Sequence, residues 1–157
     1  MGAVLARSAR GGALPSPAGR TILTVTGAIT NTNGGNAAIF DRPMLEALGL
    51  DGFRTTTPWY DGPVRFDGVR MRRLMQAVGA FGTEVVVSAL NGYVIEIPMS
   101  DFERYGALLA MKRDGVDMPV RDKGPLFIVY PYDSRPELRS QQFYSRSAWQ
   151  VARLVVT

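Results

Sequence analysis

The stretch from Asn91 to Tyr132 constrains this chain most, because four successive elements can be read from it. Tyr93, Ile95 and Ile97 alternate with Val94 and Glu96, the period of two that marks a strand with unlike faces. Ser100 followed by Glu103 spells a capping box, which predicts a short helix with Leu108, Leu109 and Met111 on its apolar side. Arg113-Asp114-Gly115 predicts a tight turn, since Asp and Gly accept positive φ. Val120 to Pro125 is a charged loop, and it enters Leu126-Phe127-Ile128-Val129-Tyr130, an apolar run suited to a strand covered on both faces.

The rest of the chain supplies mostly strands. Thr21 to Ile29 is β-rich, and Thr30 to Asn36 is a loop of Asn, Thr and Gly. That loop reads either as a surface connection or as the amide-bearing rim of a ligand site. Asp41 caps a short helix over Met44 to Leu48. Phe53 to Tyr60 is a strand interrupted by Pro58, so it ends near Thr57. Met71, Leu74, Met75 and Val78 recur at helical spacing within Arg70 to Val78. Glu84 to Leu90 and Ala148 to Thr157 are further strands, the last fed by the polar and aromatic segment Gln141 to Ser147. Short, separated helices among more numerous strands predict an α+β domain with a mixed, barrel-like sheet.

A chain of 157 residues suits one domain with a sizeable core. Residues 21–157 are assigned to it. Residues 1–20, punctuated by Gly11, Gly12, Pro15, Pro17 and Gly19, read as a leader or remnant of one without an intact signal peptide. The net charge of +4 comes almost wholly from Arg, since Lys112 and Lys123 are the only lysines among the 18 basic residues. No basic run exceeds Arg72-Arg73 and no aromatic residues interleave with one, so nucleic acid is not an expected partner. The apolar runs are strand-sized, which argues against direct insertion into a membrane. Two absences are sharper. With no Cys and no His, the chain has no thiolate nucleophile, Ser–His dyad, Cys/His zinc site or histidine base.

The order of these words resembles the sulfite-oxidase-type molybdopterin-binding domain. The residues that carry the resemblance are Asn91-Gly92-Tyr93, Ile97-Pro98-Met99-Ser100-Asp101, Leu108-Leu109-Ala110-Met111, Asp114-Gly115, Met118-Pro119 and Gly124 to Pro131. The tail Ser147-Ala148-Trp149-Gln150-Val151-Ala152-Arg153-Leu154 resembles that domain's KSxKWLxxI ending. The resemblance runs from about Thr21 to Thr157, and it implies the fold of that family. Its enzymes hold molybdenum through one Cys, which in the bacterial branch stands four residues before a Trp, as in FHCVEGW. Here the matching word is Phe53-Arg54-Thr55-Thr56-Thr57-Pro58-Trp59, with Thr55 at the Cys position. A threonine hydroxyl is a poor ligand where a soft thiolate is needed, so no molybdenum is expected and the chain is read as no enzyme.

The resemblance leaves a pocket shaped for a pterin. Trp59 is the candidate for stacking, its other reading being an anchor of the core or of an edge strand. Thr55 and Thr57 lie on the same word. Arg121 and Lys123 lie on a loop that faces the cofactor in the family, or else on a solvated turn. Arg146 and Ser147 match a Lys-Ser pair that approaches the cofactor's phosphate, with Tyr144 and Ser145 on the same loop. Asn91 and Tyr93 open the central strand near the pocket mouth. Asp101 and Glu103 read as helix-start residues favoured by the dipole rather than as a catalytic pair.

These residues lead to an expectation of a non-catalytic protein that binds a reduced pterin, a class that includes ligands of molybdopterin-like shape. The resemblance implies the cysteine-lacking, exported branch of the family. It further implies a periplasmic sensor that passes pterin occupancy to the periplasmic domain of a membrane-bound diguanylate cyclase or phosphodiesterase, an enzyme of cyclic-di-GMP metabolism. The alternatives are a molybdopterin-dependent oxidoreductase with a non-cysteine metal site, and a scaffold with a vestigial pocket.

Overall fold

The computed structural model describes residues 14–157. Ten strands form two five-stranded sheets. The first sheet comprises β1 (Leu23–Gly27), β2 (Ala38–Phe40), β5 (Glu84–Ala89), β6 (Val94–Pro98) and β10 (Val151–Val156). Its strand order is β2-β1-β10-β5-β6, and the β1–β10 pair is parallel while its neighbours are antiparallel. The second comprises β3 (Asp51–Thr55), β4 (Val64–Arg70), β7 (Leu108–Arg113), β8 (Val116–Asp117) and β9 (Phe127–Val129). It is antiparallel, with β8 and β9 pairing different ends of β7. The α+β class and the mixed sheet are therefore present. The barrel-like closure expected of a single sheet is not, because the strands divide between two open sheets.

Among the described residues four short helices flank the sheets: α1 (Arg42–Ala47), α2 (Met71–Ala77), α3 (Ser100–Tyr105) and α4 (Gln141–Ser145). None among the described residues is long and apolar enough to cross a membrane. Asp41 caps α1 as its position predicts, its Oδ1 accepting from the Met44 N–H at 3.0 Å. Its other carboxylate oxygen accepts from the Ala18 and Gly19 N–H groups at 2.9 Å each, and Asn33 Nδ2 donates to the Pro15 carbonyl at 2.8 Å. Residues 14–20 of the expected leader thus lie against the domain, while residues 1–13 fall outside the described part.

The central stretch departs from its expected form in one instructive place. Leu108 to Met111 forms the strand β7, not the apolar side of a helix. Helix α3 stops at Tyr105 because Gly106 takes φ +71°, the left-handed conformation that glycine adopts without a Cβ penalty. Beyond it the side chains alternate. Leu109 and Met111 enter the larger core with Val25, Val87, Leu154 and α2, while Leu108 and Ala110 enter a smaller one with Phe66, Phe127 and Val129. An apolar run buried on both faces has no amphipathic period to separate strand from helix. β9 divides in the same way, sending Ile128 to the first core and Phe127 and Val129 to the second. The Asp114-Gly115 turn forms as predicted, with φ of 51° and 82° joining β7 to β8. The capping box does not form, since Ser100 is already the first helical residue and Met99, the N-cap, makes no side-chain bond.

Candidate functional site

A cavity of about 350 Å³ opens where the segment after β3 meets the β5–β6 turn and α4. Its aromatic wall is Trp59, Tyr93, Tyr144 and Trp149; Asn91, Gln141, Ser145 and Ser147 supply polar groups, and Pro58 and Ala148 complete it. The lining contains no Asp, Glu, Lys or Arg side chain.

The wall is built around Trp59. Its ring meets Phe127, Tyr132, Tyr144 and Trp149 edge-to-face, with centroids 5.5, 6.0, 5.7 and 5.9 Å away. It packs against both cores. Hydrogen bonds fix the chain on either side of it. Thr57 Oγ1 accepts from the N–H groups of Trp59 and Tyr60 at 3.1 Å each, so its hydroxyl shapes the turn and stands outside the lining. Thr55 is buried at the end of β3, where its hydroxyl donates to the Thr56 carbonyl at 3.0 Å and accepts from the Asp133 N–H at 3.2 Å. Asp133 accepts in turn from the Thr56 N–H and hydroxyl, and those bonds hold its carboxyl below the usual range.

The opposite wall comes from α4 and the residues after it, where the sequence placed the candidates Tyr144, Ser145, Arg146 and Ser147. Tyr144 packs on Trp59 and Tyr132 and also lines the cavity. Ser145 lends its carbonyl to the Tyr93 phenol at 2.6 Å, a bond across the mouth. Asn91 Oδ1 accepts from the Tyr93 N–H at 3.0 Å and sets the turn that carries both residues. Ser147 is buried, its hydroxyl bonded to the Tyr132 phenol and to the Phe143 carbonyl. The Tyr132 phenol is pushed up from its ordinary pKa chiefly by burial.

Of the expected site residues, Trp59, Asn91, Tyr93, Tyr144, Ser145 and Ser147 converge on this cavity, whereas Thr55, Thr57, Arg121, Lys123 and Arg146 do not line it. Arg121 is exposed on a 3₁₀ turn. Lys123 stands with Nζ 4.5 Å over the Trp149 ring and 5.4 Å over Tyr60. Tyr60 is pushed up to about 12 by burial and by its bond to Asp122. Arg146 turns to Asp101, its NH1 2.9 Å from Oδ2. Asp101 is accordingly no simple dipole partner of α3: it is buried and also accepts from the Tyr130 phenol at 2.7 Å. Glu103 remains exposed. The Asn-rich loop is likewise structural, with Asn31 bonded to the Ala77 carbonyl and Asn33 to the backbone of Ile39. Pro58, Gln141, Ala148 and Trp149 were not anticipated. Only Trp149 had a signal, as the Trp of the tail word.

No known family model matches this sequence, and no curated protein matches it. Among solved structures, the sulfane dehydrogenase SoxCD from Paracoccus pantotrophus is similar, with a TM-score of 0.62 and 13% identity over 85% of this chain. The match takes up 37% of the SoxCD chain, so this chain spans about a third of that protein's length. At this identity the likeness is one of fold: the chain is similar in architecture to part of a sulfane dehydrogenase.

Proposed function

We propose that this chain is a non-catalytic pterin-binding protein. The observation that carries the reading is the cavity itself: about 350 Å³, walled by Trp59, Tyr144 and Trp149 and edged by the carboxamides of Asn91 and Gln141. A reduced pterin is flat, with a donor–acceptor edge, and needs an aromatic face and a few placed polar groups. Carboxamides both donate and accept, so they suit such an edge.

The residues fit a pterin better than a metal-bearing, phosphorylated cofactor. At the position of the family's Cys stands Thr55, whose hydroxyl is buried in backbone hydrogen bonds. Among the described residues no three acidic side chains group to hold a metal ion. Arg146, expected at a phosphate, is engaged by Asp101 instead. A lining of hydroxyls, carboxamides and aromatic rings suits a neutral heterocycle and offers molybdenum no soft ligand.

The family resemblance extends this reading to a periplasmic sensor that reports occupancy to a membrane-bound cyclic-di-GMP-metabolising partner. What supports the extension is the β5–β6 turn. Tyr93 lines the cavity, while Leu90 and Val94 beside it are 58% and 57% exposed, so ligand contact and an open apolar surface share one segment. Ligand that favours one arrangement of the turn would be read there. The second reading, an oxidoreductase with a non-cysteine metal site, draws on the fold likeness to a sulfane dehydrogenase.

The deciding experiment is anaerobic purification from a native-like host, acid release of bound small molecules, oxidation to fluorescent pterin and a molybdenum assay on the same sample. Stoichiometric pterin without metal is the expected result. Molybdenum near one per chain would establish the oxidoreductase, and neither species, with no uptake of added reduced pterin, would leave a scaffold.

A further inference from the structure

Of the consecutive residues Tyr144 to Ala148, all but Arg146 line the cavity. Arg146 faces the other way, with NH1 2.9 Å from Asp101 Oδ2, and its guanidinium lies 5.1 Å over the Phe143 ring of α4. The same Asp101 oxygen accepts from the Tyr130 phenol at 2.7 Å. The Asp101 residue is 5% exposed, so the tie is shielded from the solvent screening that weakens surface pairs. It joins three elements, since Asp101 belongs to α3, Tyr130 follows β9 and Arg146 closes α4. None of the three residues touches the cavity.

We propose that Asp101 is a positioning residue for this pocket: through Arg146 it sets the segment 144–148, and hence the Tyr144 ring and the Ser145 carbonyl that meets Tyr93. The pair acts as a charged fastening on the dry side of a wall whose wet side meets ligand. A second, neutral fastening runs from Tyr132 through Ser147 to the Phe143 carbonyl and does not involve Asp101. Loss of the Asp101 charge therefore shifts the wall instead of melting it. The identity of the ligand rests on the pterin reading, but the positioning role does not.

The test uses the full chain. Both of its tryptophans, Trp59 and Trp149, line the cavity, so their emission reports on the pocket without any ligand. Asp101→Asn keeps the shape and removes the charge. Expected are greater quenching of tryptophan emission by acrylamide and an affinity for reduced pterin lower on the order of tenfold, the factor for one charge-assisted hydrogen bond. Asp101→Asn combined with Arg146→Met should be no worse than either alone, because both remove one interaction. Val85→Ala, in the core of the first sheet, supplies a destabilised control that should move neither readout. Wild-type quenching and affinity in Asp101→Asn, or equal changes in Val85→Ala, would overturn the proposal. If Asp101→Asn fails to fold, Arg146→Met removes the same ion pair from the other side, and unchanged quenching there overturns it equally. Should the wild type bind no reduced pterin while Asp101→Asn still opens the tryptophans to acrylamide, the pterin reading falls and the positioning role stands.

Discussion

Two segments that contribute to the cavity, 55–60 and 91–93, are held in opposite ways. The segment 55–60 is fixed by many contacts: the Thr55 and Thr57 hydroxyls bond backbone, Asp133 clasps Thr56, and Trp59 meets four aromatic rings. The turn 91–93 is exposed along its length, and one bond from the Tyr93 phenol to the Ser145 carbonyl ties it to the other wall. A preformed aromatic wall costs little ordering on binding, so the first segment should supply affinity. A turn closed by its own local bonds but tied to α4 by one peripheral bond belongs to the low-stability end of the structure, so the second should govern access.

The largest expected effect breaks the fixed side. Trp59→Ala removes a ring that joins both cores, and by analogy with other large-to-small changes it should cost about 3–5 kcal/mol of stability along with binding. The four ring contacts make Trp59 a support of the fold as well as a lining residue of the cavity. Chemical denaturation beside a binding isotherm checks both outcomes. Next come the carboxamides. Asn91→Ala and Gln141→Ala should each weaken binding by roughly tenfold, the value of about one hydrogen bond, with midpoints of denaturation close to wild type. Tyr93→Phe sharpens the contrast more finely. It removes only the bond to Ser145, so stopped-flow measurements should show association and dissociation both faster, with affinity changed by less than about threefold.

The smallest effect at neutral pH concerns the fixed segment's carboxylate. Bonds from Thr56 hold Asp133 below its ordinary pKa, and backbone bonds from Gly19 and Met44 do the same for Asp41. A depressed folded pKa contributes stability above the unfolded value, about 4, and that stability is lost as pH falls through the folded value. Melting temperature should thus be level from neutral to about pH 5 and decline below about pH 4, and Asp133→Asn should flatten part of the decline. A melting curve independent of pH down to about 3 would show that these bonds contribute nothing.

The contrast also explains what could be read from the chain. Period-two strands such as β6, the Asp41 cap and the Asp114-Gly115 turn were legible because each rests on local chemistry. β7 was not, since burial on both faces erases the pattern that distinguishes strand from helix. Within the site, Trp59, Tyr93 and Tyr144 were found as aromatic residues in recognisable words, and the cavity brings them together. Charged residues were the misleading ones. Arg146 looked like a ligand for a phosphate, but a guanidinium follows its carboxylate, and that partner, Asp101, lies 45 positions away in sequence. Gln141 and Pro58 carry no local signal, because only the docking of α4 against the segment after β3 brings them to the cavity.

The central claim is that one pterin occupies the cavity whose wall contains both tryptophans. It is tested most directly by titrating the purified chain with an unphosphorylated reduced pterin, anaerobically, and following tryptophan emission corrected for absorbance. Saturable quenching at one pterin per chain, weakened in Asn91→Ala, is the predicted result. Emission that never saturates, or saturates equally in wild type and Asn91→Ala, would contradict it.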